Sequence, residues 1–282
     1  MSSRYYLLIA LLLPLQVFAQ SAGKLTFTEG KVRVIRDASL LAGVQGAAVE
    51  VADIVETSKP GFALIEFPDG TVIALGDATR VMLSRYPQPG KAGAPEILLL
   101  DGWLKVQSRL TDGAAYGVSS PMQSVSVKSA SLIIHGTASS GEVFVESGAA
   151  NVGITDKQGR PASMVAAKSG LFVTRAPDKL AVSQPRPSDV FLNSLPGAFK
   201  DALPARLERF KDRSVEAKPT GAVSYGDVSD WLTASSSWRM GFLKRFEPRV
   251  SDPAFRQQLE AHLKSHPEWD RVLHPPVAKP AH

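Results

Sequence analysis

The chain has 282 residues, 44% hydrophobic and 21% charged, with a formal net charge of +5. That is a globular composition, long enough for one or two domains around a packed core. Cysteine is absent, which excludes disulfides, thiolate nucleophiles, iron–sulfur clusters and cysteine-based zinc sites.

Residues 1–19 have the layout of a secretory signal peptide. Arg4 precedes an apolar run from Leu7 to Leu15, and Val17 and Ala19 place small residues before a cleavage point at Gln20. The run is too short to span a bilayer, which takes about 20 residues. The expected location is therefore the periplasm, with no transmembrane segment after cleavage. Losing Arg4 lowers the net charge by one, from +5 to +4. The remaining cations are scattered, and no basic block could track a phosphate backbone, so nucleic acid is not an expected partner.

Residues 20–182 read as an all-β domain. Lys31-Val32-Arg33-Val34-Ile35-Arg36 alternates basic and apolar residues. Phe62–Phe67 and Thr71–Leu75 flank Pro68-Asp69-Gly70, a turn with preset geometry. Further short strands are expected at Thr79–Ser84, Ile97–Leu100, Trp103–Val106, Ser124–Lys128, Leu132–His135, Val143–Glu146 and Leu171–Thr174. Turns are expected at Asp101-Gly102, Asp112-Gly113, Ser147-Gly148 and Gln158-Gly159. Such spacing predicts a sandwich, barrel or solenoid and argues against a parallel α/β nucleotide fold.

Residues 183–187, Ser-Gln-Pro-Arg-Pro, read as a semi-rigid linker. Residues 188–274 then read as a small α-helical region. Helices are predicted after Ser188, over Pro204–Arg213, after the Ser224/Asp227 capping pair, over Trp238–Phe246, over Ala254–Ser265 behind Asp252-Pro253, and over Glu268–Leu273. A break is expected at Pro219-Thr220-Gly221, and residues 275–282 read as a frayed tail. Trp231, Trp238, Phe242, Phe246, Phe255 and Trp269 are expected as apolar seams, packing the helices on one another or on the β domain.

No residue constellation points to catalysis. His262 and His266 share a helical face, but Leu263 stands where a metalloprotease has its glutamate. His135 is alone on a predicted strand and reads as structural. Ser21 and Lys24 make the S-x-x-K match, in an N-terminal stretch read as flexible. Asp69, Asp77 and Asp101 lie beside turns, where two carboxylates could serve glycoside hydrolysis, yet turn geometry selects aspartate without any chemistry. The reading is non-enzymatic, with no catalytic residue, no metal and no cofactor.

Several of these pieces together resemble one family. Phe67-Pro68-Asp69-Gly70-Thr71-Val72-Ile73-Ala74-Leu75-Gly76, then Thr79-Arg80-Val81, resembles the "DGS/T…I…L…S" signature of FecR-type domains. Ile97–Val106 is similar to that family's "L…G…V" pair, and Tyr116–Pro121 to its "F-x-V-x-T-P" piece. His135-Gly136-Thr137 resembles its "R-G-T", with histidine in place of arginine; Val143–Val152 and Val165–Gly170 resemble its closing pattern. The resemblance covers about residues 24–180. It implies a mainly β fold, a FecR-like β-roll or solenoid-type domain followed here by a small α-helical C-terminal domain. It also implies an extracytoplasmic interaction or sensing module. In the founding members such a domain relays a signal to a cytoplasmic sigma-factor-binding segment; here a leader is expected in that segment's place. The expected partner is an envelope protein bound through an exposed β edge or face, with Tyr86 and Trp103 as aromatic anchors. A cell-wall glycan is the alternative, an envelope hydrolase a further one.

Overall fold

The structure, a computed structural model, describes residues 21–87, 93–110, 115–155, 161–177, 179, 181–211, 213 and 215–275. The expected leader, the Asp112-Gly113 and Gln158-Gly159 turns and the tail beyond Pro275 lie outside them. Among the described residues, fourteen strands make one sheet. They are β1 (Gly23–Arg36), β2 (Ser39–Ala42), β3 (Ala48–Val49), β4 (Ile54–Glu66), β5 (Val72–Leu75), β6 (Arg80–Arg85) and β7 (Glu96–Arg109). There follow β8 (Tyr116–Ser119), β9 (Gln123–Gly136), β10 (Gly141–Thr155), β11 (Pro161–Lys168), β12 (Phe172–Arg175), β13 (Val182–Gln184) and β14 (Pro219–Ala222). Hydrogen-bonded neighbours run β13-β12-β10-β9-β8-β7-β5-β4-β1-β2-β14, and β3, β6 and β11 pair beside this path. Of the strand pairs, β7–β8 is parallel and the others are antiparallel, so the sheet is built largely from antiparallel neighbours.

Two expected turns are bulges inside long strands. Asp101-Gly102 lies within β7, where the register to β6 shifts between Arg80 and Val81, and Gly102 has φ +104°. Inward residues are Ile97 and Leu99 before it, Leu104 and Val106 after it. One extra residue has exchanged the faces of the strand. A side chain at Gly102 would lie 2.5 Å from Thr79 Oγ1, which accepts the Trp103 amide. Gly148 does the same in β10: Val143 and Val145 point inward before it, Ala150 and Val152 after it. The sequence pieces that read as separate short strands are halves of bent strands of 14 and 15 residues.

Both faces of the sheet are apolar. The inner face encloses the main core, which includes Val34, Val55, Ile65, Leu99, Leu104, Leu132 and Val145. Outward residues form two further clusters. Ile35, Ile54, Leu98 and Leu100 meet the C-terminal helices, while Leu64, Val72, Ala74, Trp103 and Ile133 meet Phe191, Phe199 and Leu203.

The C-terminal helices are shorter than the sequence suggests. They are α1 (Asp189–Ser194), α2 (Tyr225–Leu232), α3 (Ser236–Arg239), α4 (Phe242–Phe246), α5 (Pro253–Ala261) and α6 (Asp270–Leu273). Ser224 and Asp227 form the expected capping box on α2, and Asp252 caps α5 by accepting from the Ala254 and Phe255 amides. Met240-Gly241 divides the predicted Trp238–Phe246 helix. The predicted Ala254–Ser265 helix ends at Ala261 and continues as a 3₁₀ turn, Leu263–Ser265, before His266-Pro267. Pro204–Arg213 forms a single 3₁₀ turn, Leu207–Phe210, and Glu268–Leu273 a 3₁₀ turn leading into α6. Pro219-Thr220-Gly221 is not a break: it belongs to β14, which pairs with β2. Two of the five residues of the expected linker are strand as well, since Ser183 and Gln184 pair with β12. The six C-terminal aromatics pack together and onto the sheet.

Arg245 of α4 fastens this helical layer. Its guanidinium donates to the carbonyls of Ile35 (2.8 Å), Asp37 (2.9 Å) and Ala52 (2.6 Å) and lies over the Phe246 ring. Burial without a carboxylate on it pushes its pKa down to about 10. Replacing Arg245 with Met should cost about 2 kcal/mol or more, from the charged hydrogen bonds lost. Urea unfolding at unchanged m-value would measure it.

His266 is fully buried, with Nε2 3.1 Å from the Tyr225 hydroxyl, and Tyr225 stacks on His262. Burial pushes the His266 pKa below its ordinary value. The folded imidazole is thus neutral, while the unfolded one takes a proton near pH 6.5. Stability should be full above that pH and fall as pH drops through it. Urea midpoints between about pH 7.5 and pH 5 should show this fall, and His266→Phe should flatten it.

Candidate interaction site

The segment from Ser188 to Arg213 runs over the outer face of the sheet as a strap. Ser188 caps α1 by accepting the Phe191 amide, and this short helix turns Phe191 onto the sheet. The Phe191 ring lies 5.1 Å from Trp103, 4.8 Å from Phe172 and 6.4 Å from Phe144. Trp103 stacks on His135 at 4.2 Å, and His135 Nδ1 is 2.8 Å from Glu142. Phe199 then packs on Phe62, and Leu203 completes the cluster.

Between these anchors the strap has little regular structure, and sheet side chains satisfy its main chain. Lys105, only 2% exposed, donates from Nζ to the carbonyls of Phe199 (2.7 Å) and Asp201 (2.9 Å) and pairs with Glu146. Gln107 Oε1 accepts the Leu203 amide. Glu66, also buried, accepts the amides of Arg206 and Leu207 at 2.8 and 2.9 Å, besides the Thr26 hydroxyl. Lys24 donates to the carbonyls of Phe210 and Arg213. A buried charge is tolerated only when paired and hydrogen-bonded. Lys105 meets that condition through Glu146 and two carbonyls, while Glu66 is served by three neutral donors; both hold peptide groups that would otherwise be orphaned over an apolar face.

The sequence-predicted residues sort as follows. Trp103 is 9% exposed beneath Phe191, so its reading as an exposed anchor is corrected: the strap covers it. Tyr86 is partly exposed and stacks on Phe67; its hydroxyl and that of Tyr116 both donate to Asp69 Oδ2, at 3.3 and 2.7 Å. Burial pushes the Tyr86 phenol up to about 12. Tyr86 packs against the main core and Trp103 in the strap cluster, so the two do not form one site. Asp69 also accepts the Thr71 amide and Asp77 the Gly61 amide, which gives both aspartates turn-forming work. His262 Nδ1 faces the Gln258 carbonyl at 2.9 Å. Among the described residues, no three His, Cys, Asp or Glu stand where they could hold a metal. Ser21 and Lys24 lie at the start of the sheet, where Ala22 bonds Val49; the stretch is ordered, correcting the reading as flexible. Lys105 and Glu66 were missed, although each interrupts an apolar strand: Leu104-Lys105-Val106 and Ile65-Glu66-Phe67.

Where the strap begins, three apolar side chains face solvent: Val182 on β13, and Val190 and Leu192 on α1. β13 ends the strand order, and no further strand lies beyond it among the described residues. Among those residues, too, no helix is long and apolar enough to cross a membrane.

Residues 53–151 match the family model described as FecR protein. This stretch, from just before β4 into β10, is a FecR-type segment and carries Trp103, Lys105 and Glu146. Two crystal structures of a candidate anti-sigma factor from Parabacteroides distasonis are similar in part. They share 17% and 16% identity, cover 47% and 50% of this chain, and have TM-scores of 0.41 and 0.42. This chain spans 59% and 64% of theirs, about three-fifths of their length. No curated protein matches. The elements of this chain make it mainly β with a small helical C-terminal part, and residues 53–151 match the FecR family.

Breaking the Lys105–Glu146 pair should loosen the strap at a cost of about 3 kcal/mol, and neutralising Glu66 at about 2 kcal/mol, the worth of charged hydrogen bonds. Lys105→Met and Glu66→Gln should each expose Lys200 and Arg206 to trypsin well before global unfolding, read as cleavage rate under native conditions.

Proposed function

We propose that this chain is a non-enzymatic, periplasmic FecR-type sensing module that recognises an envelope protein. The observation that carries the reading is the strap. The FecR-type sheet holds an irregular polypeptide by its main chain, through Lys105, Gln107 and Glu66, as a protein-recognition surface does. The contact for a second polypeptide is the edge where the strap begins: among the described residues β13 has no partner on its outer side, and Val182, Val190 and Leu192 offer apolar area. The leader-like residues 1–19 support export.

A photoreactive residue placed at Val190, and separately at Val182, should give one dominant adduct with an envelope protein in intact cells. The same residue at Glu208, exposed on the far part of the strap, should not. Equal labelling from all three positions would sink the reading.

A glycan ligand is the second reading. An open cavity of about 520 Å³ beside the strap is lined by Ser129, Ser131, Ser147, Arg109 and Lys200, which suit an anionic polyhydroxylated chain. Co-sedimentation with peptidoglycan at low salt, lost on Arg109→Ala with Lys200→Ala, would place that reading first.

A further inference from the structure

Along one side β10 pairs with β9, from Gly141 to Ile154. Its other side is shared by two strands in line: β12 pairs with Gly141–Phe144 and β11 with Ala149–Thr155. The β12 half has a further neighbour, β13, whose Gln184 stands opposite Phe172. The next residue is Pro185, which has no N–H with which to extend that ladder toward β11. Pro187 follows, and Ser188 then caps α1. The outer edge of β11 (Pro161–Lys168) is therefore left open, with no strand on it among the described residues.

Native sheets guard open edges with charges, bulges or a cover, because unpaired peptide groups are a template for another strand. From Ala162 to Ala167 this edge reads Ala-Ser-Met-Val-Ala-Ala, without a charge. Alternation puts Val165 and Ala167 on the core side, where Val165 is half-buried and Ala167 buried. It puts Met164, Ala166 and Lys168 on the outer side, where all three are exposed, Met164 at 68%.

The edge is complementary to itself. Two copies related by a two-fold axis perpendicular to the sheet pair antiparallel, and each residue then faces one of its own parity. With the axis at Val165, Val165 meets Val165, Met164 meets Ala166, Ser163 meets Ala167 and Ala162 meets Lys168. No like charges oppose one another in that register. Moving the axis to Met164 would set Lys168 against Arg160 at both ends, a destabilising like-charge pair.

We propose that β11 is a self-association edge, through which two copies of this chain pair antiparallel with the two-fold axis at Val165. The pairing supplies partners to the outward peptide groups of β11, covers Met164 and completes the burial of Val165. The contact is one strand wide, so the dimer is weak and concentration-dependent. The β13 edge stays free, and the dimer does not depend on recognition of an envelope protein.

Sedimentation velocity of the purified chain, from micromolar to near-millimolar concentration, should show a reversible monomer–dimer equilibrium. Met164→Lys, at an exposed position, should weaken it about tenfold or more by placing an unmatched charge on the pairing edge. Adding Ala166→Glu should restore the dimer, because position 164 of one copy faces position 166 of the other. The chain has no cysteine, so a single introduced one reports the register. Val165→Cys should give a disulfide-linked dimer on mild oxidation, since residues opposed across an antiparallel pair are within disulfide reach. Met240→Cys, exposed on the helical layer, should cross-link far more slowly. Circular dichroism would show that the variants keep the fold. A monomer at every concentration, a dimer undiminished in folded Met164→Lys, or Val165→Cys cross-linking no faster than Met240→Cys would overturn the proposal.

Discussion

The structure depends on one constraint: irregular backbone lies across an apolar sheet face and cannot be left without hydrogen bonds. A peptide group buried unpaired costs as much as a lost hydrogen bond or more. Helices and strands answer this internally, but the strap is mostly neither. Its carbonyls and amides are met by side chains rising from the sheet, Lys105, Gln107, Glu66 and Lys24. Arg245 does the converse, reaching from the helical layer to carbonyls at the strand ends. Charged side chains suit this role because a charged donor or acceptor makes the stronger hydrogen bond and can serve several peptide groups at once.

That arrangement explains why the FecR-type segment is not bare. A sheet with two apolar faces encloses a core on one side only. Its outer face needs cover, and the chain supplies it twice: the strap over Trp103 and Ile133, the helical layer over Ile35, Ile54, Leu98 and Leu100. The bulges at Gly102 and Gly148 matter here because each exchanges the faces within a single strand. In β7 the bulge separates Leu98 and Leu100, which point to the helices, from Trp103 and Lys105, which point to the strap. One strand thus serves both covers. The apolar residues left exposed at β13 and α1 lie where the strap begins, at the edge of the covered area.

Between the two covers a row of charged register partners, Arg33, Glu56, Arg80 and Asp101, ties α2 to the sheet. Its cations each have a carboxylate from α2, whereas its buried acid has an oxygen over. The clamps under the strap differ in that the oxygens of Glu66 and the ammonium of Lys105 all have hydrogen-bond partners.

The amino-acid sequence by itself determined the mainly β class, the Pro68-Asp69-Gly70 hairpin, the caps at Ser224 and Asp252, the aromatic seams and the FecR resemblance. All are local signals: a turn residue accepts its geometry, a cap bonds a neighbour three residues on, and a strand alternates. The tertiary structure alone decided where strands end, because Asp-Gly and Ser-Gly look alike in a turn and in a bulge until a partner strand sets the register. It also buried Trp103, by laying Phe191 on it from 88 positions away in the chain. Lys105 and Glu66 are visible in the sequence as charges inside apolar strands. Their role is not, because their partners are peptide groups, which carry no residue identity and are brought near by the fold alone.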